Sequence, residues 1–258
     1  MQAALISRAR LENDMRLALA NEQWKLVYQP QVDVNGMPIG VEALLRWQHP
    51  ERGIISPGEF IPLLESTRLI NEVGNWVLET ACQQLAEWQE KPQTAGLSMA
   101  VNISPVQFRE DNFVPKVKAI LRRTGAPADK LKLEVTETLF VDVSDNALRK
   151  MSHLRHQGVR FSLDDFGTGY SSLSYLAHLP LDQLKIDQSF VREVLDSRAN
   201  ASIVESTIVL AKSLGLSVIA EGVETETQRG WLKDHGCLHY QGYLFGRPMS
   251  AAELEKLM

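Results

Sequence analysis

"RFSLDDFGTGYSSLSYL", residues 160–176, is the stretch from which the architecture can be read outward. An apolar run, Phe161-Ser162-Leu163, ends in two adjacent carboxylates, Asp164 and Asp165. A glycine-bearing turn, Phe166-Gly167-Thr168-Gly169, follows at once. Neighbouring acids repel, and burying either is costly without a partner. Something must be held where this strand ends.

The same design recurs along the chain. With this run at 159–165, apolar runs read as strands at 25–34, 38–47, 97–104, 130–137, 183–187, 216–223 and, more weakly, 239–245. Helical patterns lie between them at 72–90, 112–124, 144–157, 199–214 and 225–235. Another opens at "SPGEFIPLLEST", with Ser56 as cap, Pro57 in the first turn and Glu59 three residues after the cap. Roughly eight strands alternating with helices predict a (β/α)8 barrel, with a doubly wound open sheet as the competing architecture. No internal repeat or low-complexity segment marks an inner boundary.

The strand ends carry the chemistry. Glu42 follows "IGV", Asn102 follows "SMAV", Glu134 follows "LKL", Asp164 and Asp165 follow "FSL", Lys185 follows "QL" and Glu221 follows "SVIA". A single strand-end acid is usually a helix cap or a surface charge. Six strands ending this way are hard to explain as caps. In a barrel, these ends share one face, where active sites are built. Five acids there need cations, and oxygen donors suit hard ions such as Mg2+ or Mn2+.

Composition excludes much else. The chain has 258 residues, 44% hydrophobic and 23% charged, with a net charge of −5 and no basic block, which disfavours a nucleic-acid polymer as partner. No apolar run reaches the ~18 residues of a membrane span, and residues 1–23 lack a secretory apolar region. They read as a leading linker helix, and 24–258 as one domain. Cys82 and Cys237 have no metal-ligand spacing and read as buried bystanders in a reducing compartment. None of the six histidines shows a ligand pattern; His153 and His156, three apart on a helix, read as surface residues. No G-x-S-x-G elbow, Walker loop or dinucleotide fingerprint is present.

Eight segments in order resemble one family: "YQP" (28–30), "VEALLRW" (41–47), "VNIS" (101–104), "LEVTET" (133–138), "DDFGTGYSSL" (164–173), "LKID" (184–187), "AEGVET" (220–225) and "QGYLFGRP" (241–248). Glu42-Ala43-Leu44 is the tripeptide that names the EAL domains. The resemblance covers about residues 24–258. It implies a modified (β/α)8 TIM-type barrel with one strand antiparallel to the others. It also implies metal-dependent hydrolysis of cyclic di-GMP to linear 5′-pGpG in bacterial signalling. Carried over residue by residue, Glu42, Asn102, Glu134 and Asp164 resemble ligands of one cation. Asp164 would bridge to a second, also bound by Asp165. Lys185 resembles the residue that orients the attacking water, and Glu221 the general base or a second-cation ligand. Arg46 resembles a phosphate-binding arginine, Gln29 a substrate contact, and Gln241 a residue that positions metal or water. On a continuing strand Glu137 would face away from Glu134, three residues earlier, and could not share its metal. The plain reading is an exposed charge at the turn, whereas the resemblance implies that it braces the loop Phe166–Ser172 through its amides, Thr168 or Ser171, and so fixes Asp165.

None of these positions departs from the family pattern. A catalytically silent cyclic di-GMP receptor is the alternative. An enolase-like barrel is a more distant one, which would need a capping domain for which the chain has no room. The resemblance further implies a homodimer, an upstream sensory or GGDEF domain in a longer parent, and a cytoplasmic location. A membrane anchor on that parent is compatible with the last.

Overall fold

The computed structural model describes residues 2–140, 145–167 and 176–258. Its strands are β1 (Trp24–Asp33), β2 (Pro38–His49), β3 (Gly53–Ile55), β4 (Ser98–Asn102), β5 (Leu131–Thr136), β6 (Arg160–Phe166), β7 (Gln183–Ile186), β8 (Ser217–Ala220) and β9 (His239–Gln241). The sheet runs β1-β9-β8-β7-β6-β5-β4-β2-β3, and β1 also pairs with β2. Eight strands therefore close into a barrel, and β3 lies outside it on β2. The closed barrel replaces the open-sheet alternative.

One strand is reversed, as the resemblance implied. β1 is antiparallel to both β2 and β9, whereas the other barrel neighbours are parallel. The cause is local. Asp33 Oδ1 accepts hydrogen bonds from Asn35 N at 2.8 Å and Met37 N at 2.9 Å, and Gly36 has φ 82. This Asn-Gly turn folds β1 straight back onto β2, and a hairpin can only be antiparallel.

Six helices fall where the periodicity placed them: α2 (Pro57–Ser66), α3 (Ile70–Gln89), α5 (Phe113–Thr124), α6 (Asp145–Arg155), Arg198–Ser213 and Glu226–Asp234. They follow α1 (Gln2–Ala18), whose Leu11, Met15 and Ala18 are buried. The short α4 (Pro105–Arg109), Gln188–Arg192 and Ala251–Glu255 were not foreseen. The Ser56 cap is corrected in detail. Ser56 precedes the helix, but its backbone carbonyl, not its hydroxyl, takes the Glu59 N–H, at 2.9 Å. Full capping boxes form instead at Thr225 and Ser250.

Alternation along each strand sorts side chains between the helices and the barrel axis. Leu131, Leu133 and Val135 are buried on one face of β5, while Lys132, Glu134 and Thr136 share the other. β6 separates β5 from β7, yet Lys132 Nζ donates to Gln183 Oε1 of β7 at 2.7 Å. These polar residues therefore meet inside the barrel. Outside it, Trp24, Trp47 and Phe60 pack together, with ring centroids 5.1 to 6.0 Å apart. Cys82 and Cys237 are buried, and burial pushes both thiols up to about 12, which makes them inert. His153 and His156 are exposed. No helix among the described residues is long and apolar enough to cross a membrane.

The last strand stops at Gln241 rather than running to 245. Gly242 lies so close to the next segment that a Cβ there would sit 2.1 Å from Val223 O. Only glycine fits, and the chain turns away.

Candidate active site

Lys185 stands at the centre of the strand ends, 1% exposed. Its Nζ lies 2.7 Å from Glu134 Oε2, 2.7 Å from Glu221 Oε1, 3.0 Å from Asp164 Oδ1 and 3.5 Å from Glu42 Oε2. Four strands and one strand-end loop thus contribute to one point. Asn102 joins from β4, where its Nδ2 donates to Glu42 Oε1 at 2.6 Å.

The adjacent acids of β6 pose a geometric problem, because successive strand residues point to opposite faces. A bulge solves it. Leu163 pairs with Leu184 and Phe166 with Ile186, so β6 carries one extra residue against β7. Asp165 sits in the left-handed region at φ 54. With the strand turned there, Asp164, Asp165 and Glu221 bring carboxylate oxygens within 4.8 Å of one another. Non-glycine residues at such φ values are strained, and strain of this kind collects at functional sites.

The cluster shifts its own protons. Burial pushes Glu221 up to about 8, reinforced by Asp164 and Glu42 against the opposing pull of Lys185. Burial, then Asp164 and Asp187, push Asp165 up to about 6. Glu134 is raised well above the usual range by burial and by the acids around it, despite Lys185. Burial would also raise Glu42, but Lys185 and the Gln241 and Asn102 amides outweigh it and hold it low. Burial alone would lower Lys185; the four carboxylates reverse that and hold it charged. Five carboxyls facing one ammonium leave a surplus of negative charge that protons or cations must offset.

That surplus is the test of fit for a metal. The donors are oxygens, as hard divalent ions require. Glu134 Oε1 is buried and accepts no hydrogen bond among the described residues. A buried carboxylate oxygen without a partner is costly unless a cation completes it. The residues present therefore fit a divalent ion, and Asp164, Asp165 and Glu221 are the grouping poised for one.

A chain of amides braces Glu42. Gln241 Nε2 donates to Glu42 Oε2 at 2.6 Å and Gln29 Oε1 at 3.1 Å, and Gln241 Oε1 accepts from Gln31 Nε2 at 2.9 Å. Gln29 Nε2 donates to Gly246 O at 3.2 Å. Gln31 was missed by the sequence reading; it is two residues from Gln29 on the same strand face, which was the available signal. Glu137 is buried rather than an exposed charge, and it opens the short 3-10 turn Glu137–Phe140 just past the end of β5, so strand alternation does not turn it away from the site. Its Oε1 accepts from Gly167 N at 3.0 Å. Thr168 and Ser171, its other foreseen partners, lie outside the described residues.

Two cavities open onto the acids. One, of about 390 Å³, includes Gln29, Glu42, Arg46, Lys185, Glu221 and Tyr243 in its lining. The other, of about 490 Å³, is more apolar, with Ile61, Ile70, Val73 and Val77 as well as Asn102 and Asp165. Leu44, Arg46 and Asp164 line both, which puts Arg46 between them.

The EAL-domain family model matches residues 12–248. The chain belongs to the EAL family. A curated relative of this EAL domain is the bifunctional diguanylate cyclase/cyclic di-GMP phosphodiesterase MucR of Pseudomonas aeruginosa, 45% identical over 255 residues, or 98% of this chain and 37% of MucR. The EAL domain thus spans well under half the length of that relative. Among solved structures, the PaMucR phosphodiesterase in complex with c-di-GMP superposes with a TM-score of 0.92 at 46% identity, covering 95% of this chain and 99% of that one. The EAL enzyme Bd1971 in its cGMP-bound form gives 0.94 at 33% identity, covering 99% of this chain and 71% of that one.

Every site residue named from the sequence reaches this region. Glu42, Asn102, Glu134, Asp164, Lys185, Glu221 and Gln241 form one connected cluster, with Asp165 beside it through the bulge. Gln29 touches the cluster through Gln241, Arg46 lines the cavities, and Glu137 acts at one remove through Gly167.

Proposed function

We propose that this EAL domain hydrolyses cyclic di-GMP to linear 5′-pGpG with the help of Mg2+ or Mn2+. The observation that carries the reading is the completeness of the acid cluster around Lys185, with Nζ within 3.5 Å of four carboxylates. The ligand named for the PaMucR complex and the activity named for MucR support the choice of substrate.

The proposed ligands of one cation are Glu42, Asn102, Glu134 and Asp164. The Asn102 nitrogen is engaged by Glu42, so its oxygen is the atom left to offer. Asp164 and Asp165, with Glu221 close by, would hold a second. Divalent cations, when bound there, would offset the diester's negative charge and lower the pKa of an attacking water.

The chain's own groups do the rest. Lys185 donates a hydrogen bond to Glu134 and pairs by charge with Glu221 and Asp164, which holds the three carboxylates in one array, and its ammonium is the group that would orient the incoming water. Arg46, half-buried between the cavities, suits a charged contact to phosphate. Gln241 and Gln29 have both ends of their amides engaged within the protein, so they act chiefly by holding Glu42. Water gives up a proton, with Glu221 as the candidate acceptor, as its oxygen bonds to phosphorus; the bond to the 3′ oxygen breaks, and that oxygen takes up a proton. The product keeps a 5′ phosphate and gains a 3′ hydroxyl.

Chromatography of cyclic di-GMP incubated with purified protein tests this. Conversion to 5′-pGpG is expected with Mg2+ or Mn2+, and none with EDTA. Retained binding without any product would establish the receptor alternative instead.

A further inference from the structure

A second concave surface lies between α5 and α6, with a volume of about 560 Å³. It shares no lining residue with the two cavities over the acids. Lys118 and Arg122 of α5 line one rim, Arg149 and His153 of α6 the other, and Val114 and Pro115 add apolar surface. Residues four apart on a helix stack on one face. The α5 rim therefore sets two like charges, Lys118 and Arg122, side by side, which weakens an isolated helix by a few tenths of a kcal/mol; Arg149 adds a third cation from α6.

Pairing elsewhere on these helices makes the groove stand out. Lys116 of α5 pairs with Glu110 at 3.1 Å, Arg123 with Glu79 at 2.7 Å, and Arg155 of α6 with Asp182 at 3.0 Å. No ion pair among the described residues engages Lys118, Arg122, Arg149 or His153. The same helices thus neutralise their outlying cations and leave those facing the groove open. Composition does not explain this, since the whole chain carries a net charge of −5.

The walls of the groove are tied together by hydrogen bonds. Lys150 is buried, and its Nζ donates to Phe108 O at 2.9 Å, Arg109 O at 3.1 Å and Glu110 O at 2.7 Å. That side chain ties α6 to the segment leading into α5. Arg122 Nε donates to Lys118 O at 3.3 Å, which anchors the guanidinium stem. Asp111 is the one acid among the described lining residues. A preformed surface loses little entropy on binding.

We propose that this groove docks an acidic segment of a partner protein, with carboxylates on the two rims and an apolar side chain against Val114 and Pro115. Charge complementarity selects an anionic occupant. Three cations, Lys118, Arg122 and Arg149, spread over two facing helices exceed what one phosphate can engage. No Phe, Tyr or Trp is among the described lining residues for bases to stack on. Its apolar stretch suits a side chain better than a headgroup.

Fluorescence anisotropy of a labelled peptide of repeating Glu-Glu-Leu-Glu against the full chain tests this. Arg122→Glu with Arg149→Glu should weaken binding at least about tenfold, with the melting temperature retained. Lys212→Glu with Lys233→Glu makes the same change in net charge on other exposed helices and should change affinity less than about twofold. If charge reversal disturbs folding, Arg122→Gln with Arg149→Gln should still give a clear loss. Equal loss in the two charge-reversed proteins, or none in either, would overturn the proposal. So would a groove-dependent affinity for tripolyphosphate or for phosphatidylserine vesicles exceeding that for the peptide.

Discussion

Lys185 is an ammonium removed from water and kept charged by four carboxylates. Removing one partner of a buried ion pair typically costs ~3–5 kcal/mol, because the rest is left uncompensated. Lys185→Met should therefore lower the cation-free melting temperature, and Mg2+ or Mn2+ should restore it. In the proposed mechanism the same change should lower kcat strongly and alter cyclic di-GMP affinity in Ca2+ little, as calorimetry can read. Binding lost as fully as turnover would defeat its role toward water. Asp165→Asn keeps a residue that tolerates the left-handed backbone at φ 54. It should reduce turnover at least about a hundredfold, as loss of a key electrostatic group does. Its cation-free stability should hold or rise, since repulsion is relieved; a collapsed melting temperature would make Asp165 structural. The residue types at the strand ends were legible in the sequence because polar groups interrupt apolar runs there. The gathering of Asp165 with Asp164 and Glu221 was not, because it depends on a bulge and a positive φ that no residue type announces.

At the level of elements, the end of β6 and the turn after β5 work as one piece. Glu137 holds Gly167 N at 3.0 Å, two residues past Asp165. Glu137→Ala should weaken Mg2+ activation and kcat together, leave the fold intact and be partly rescued by high Mn2+. Unchanged rate and metal dependence would leave Glu137 a buried acid with a structural role alone. The barrel strands were readable from alternating strand and helix periods, and six helices from theirs. β3 escaped because three residues carry no period, and α4 because five residues make little more than one turn. The reversal of β1 came only through the family resemblance, yet Asn35-Gly36 between two apolar runs was a hairpin signal in plain view.

Over the whole molecule, the raised acids set the pH response. Glu221 moves from an ordinary 4.5 to about 8, and Asp165 from 3.8 to about 6. Between those values the folded protein keeps protons that the unfolded chain has lost. Cation-free stability should therefore fall as pH rises from about 4.5 to about 8. Glu42, held low, works the other way, and its contribution is lost only as pH falls through its lowered value. Divalent cations compete with the protons, so the gain in melting temperature from Mg2+ should widen across the same window. Scanning calorimetry that finds a flat cation-free profile there would contradict the shifts. The central claim, that the cluster around Lys185 directs water onto the diester's phosphorus, is tested most directly by turnover of cyclic di-GMP with Mg2+ or Mn2+ in 18O-labelled water. Mass spectrometry should find a single 18O in the 5′ phosphate of pGpG; a folded, ligand-binding sample that forms no pGpG, or forms it without the label, would contradict it.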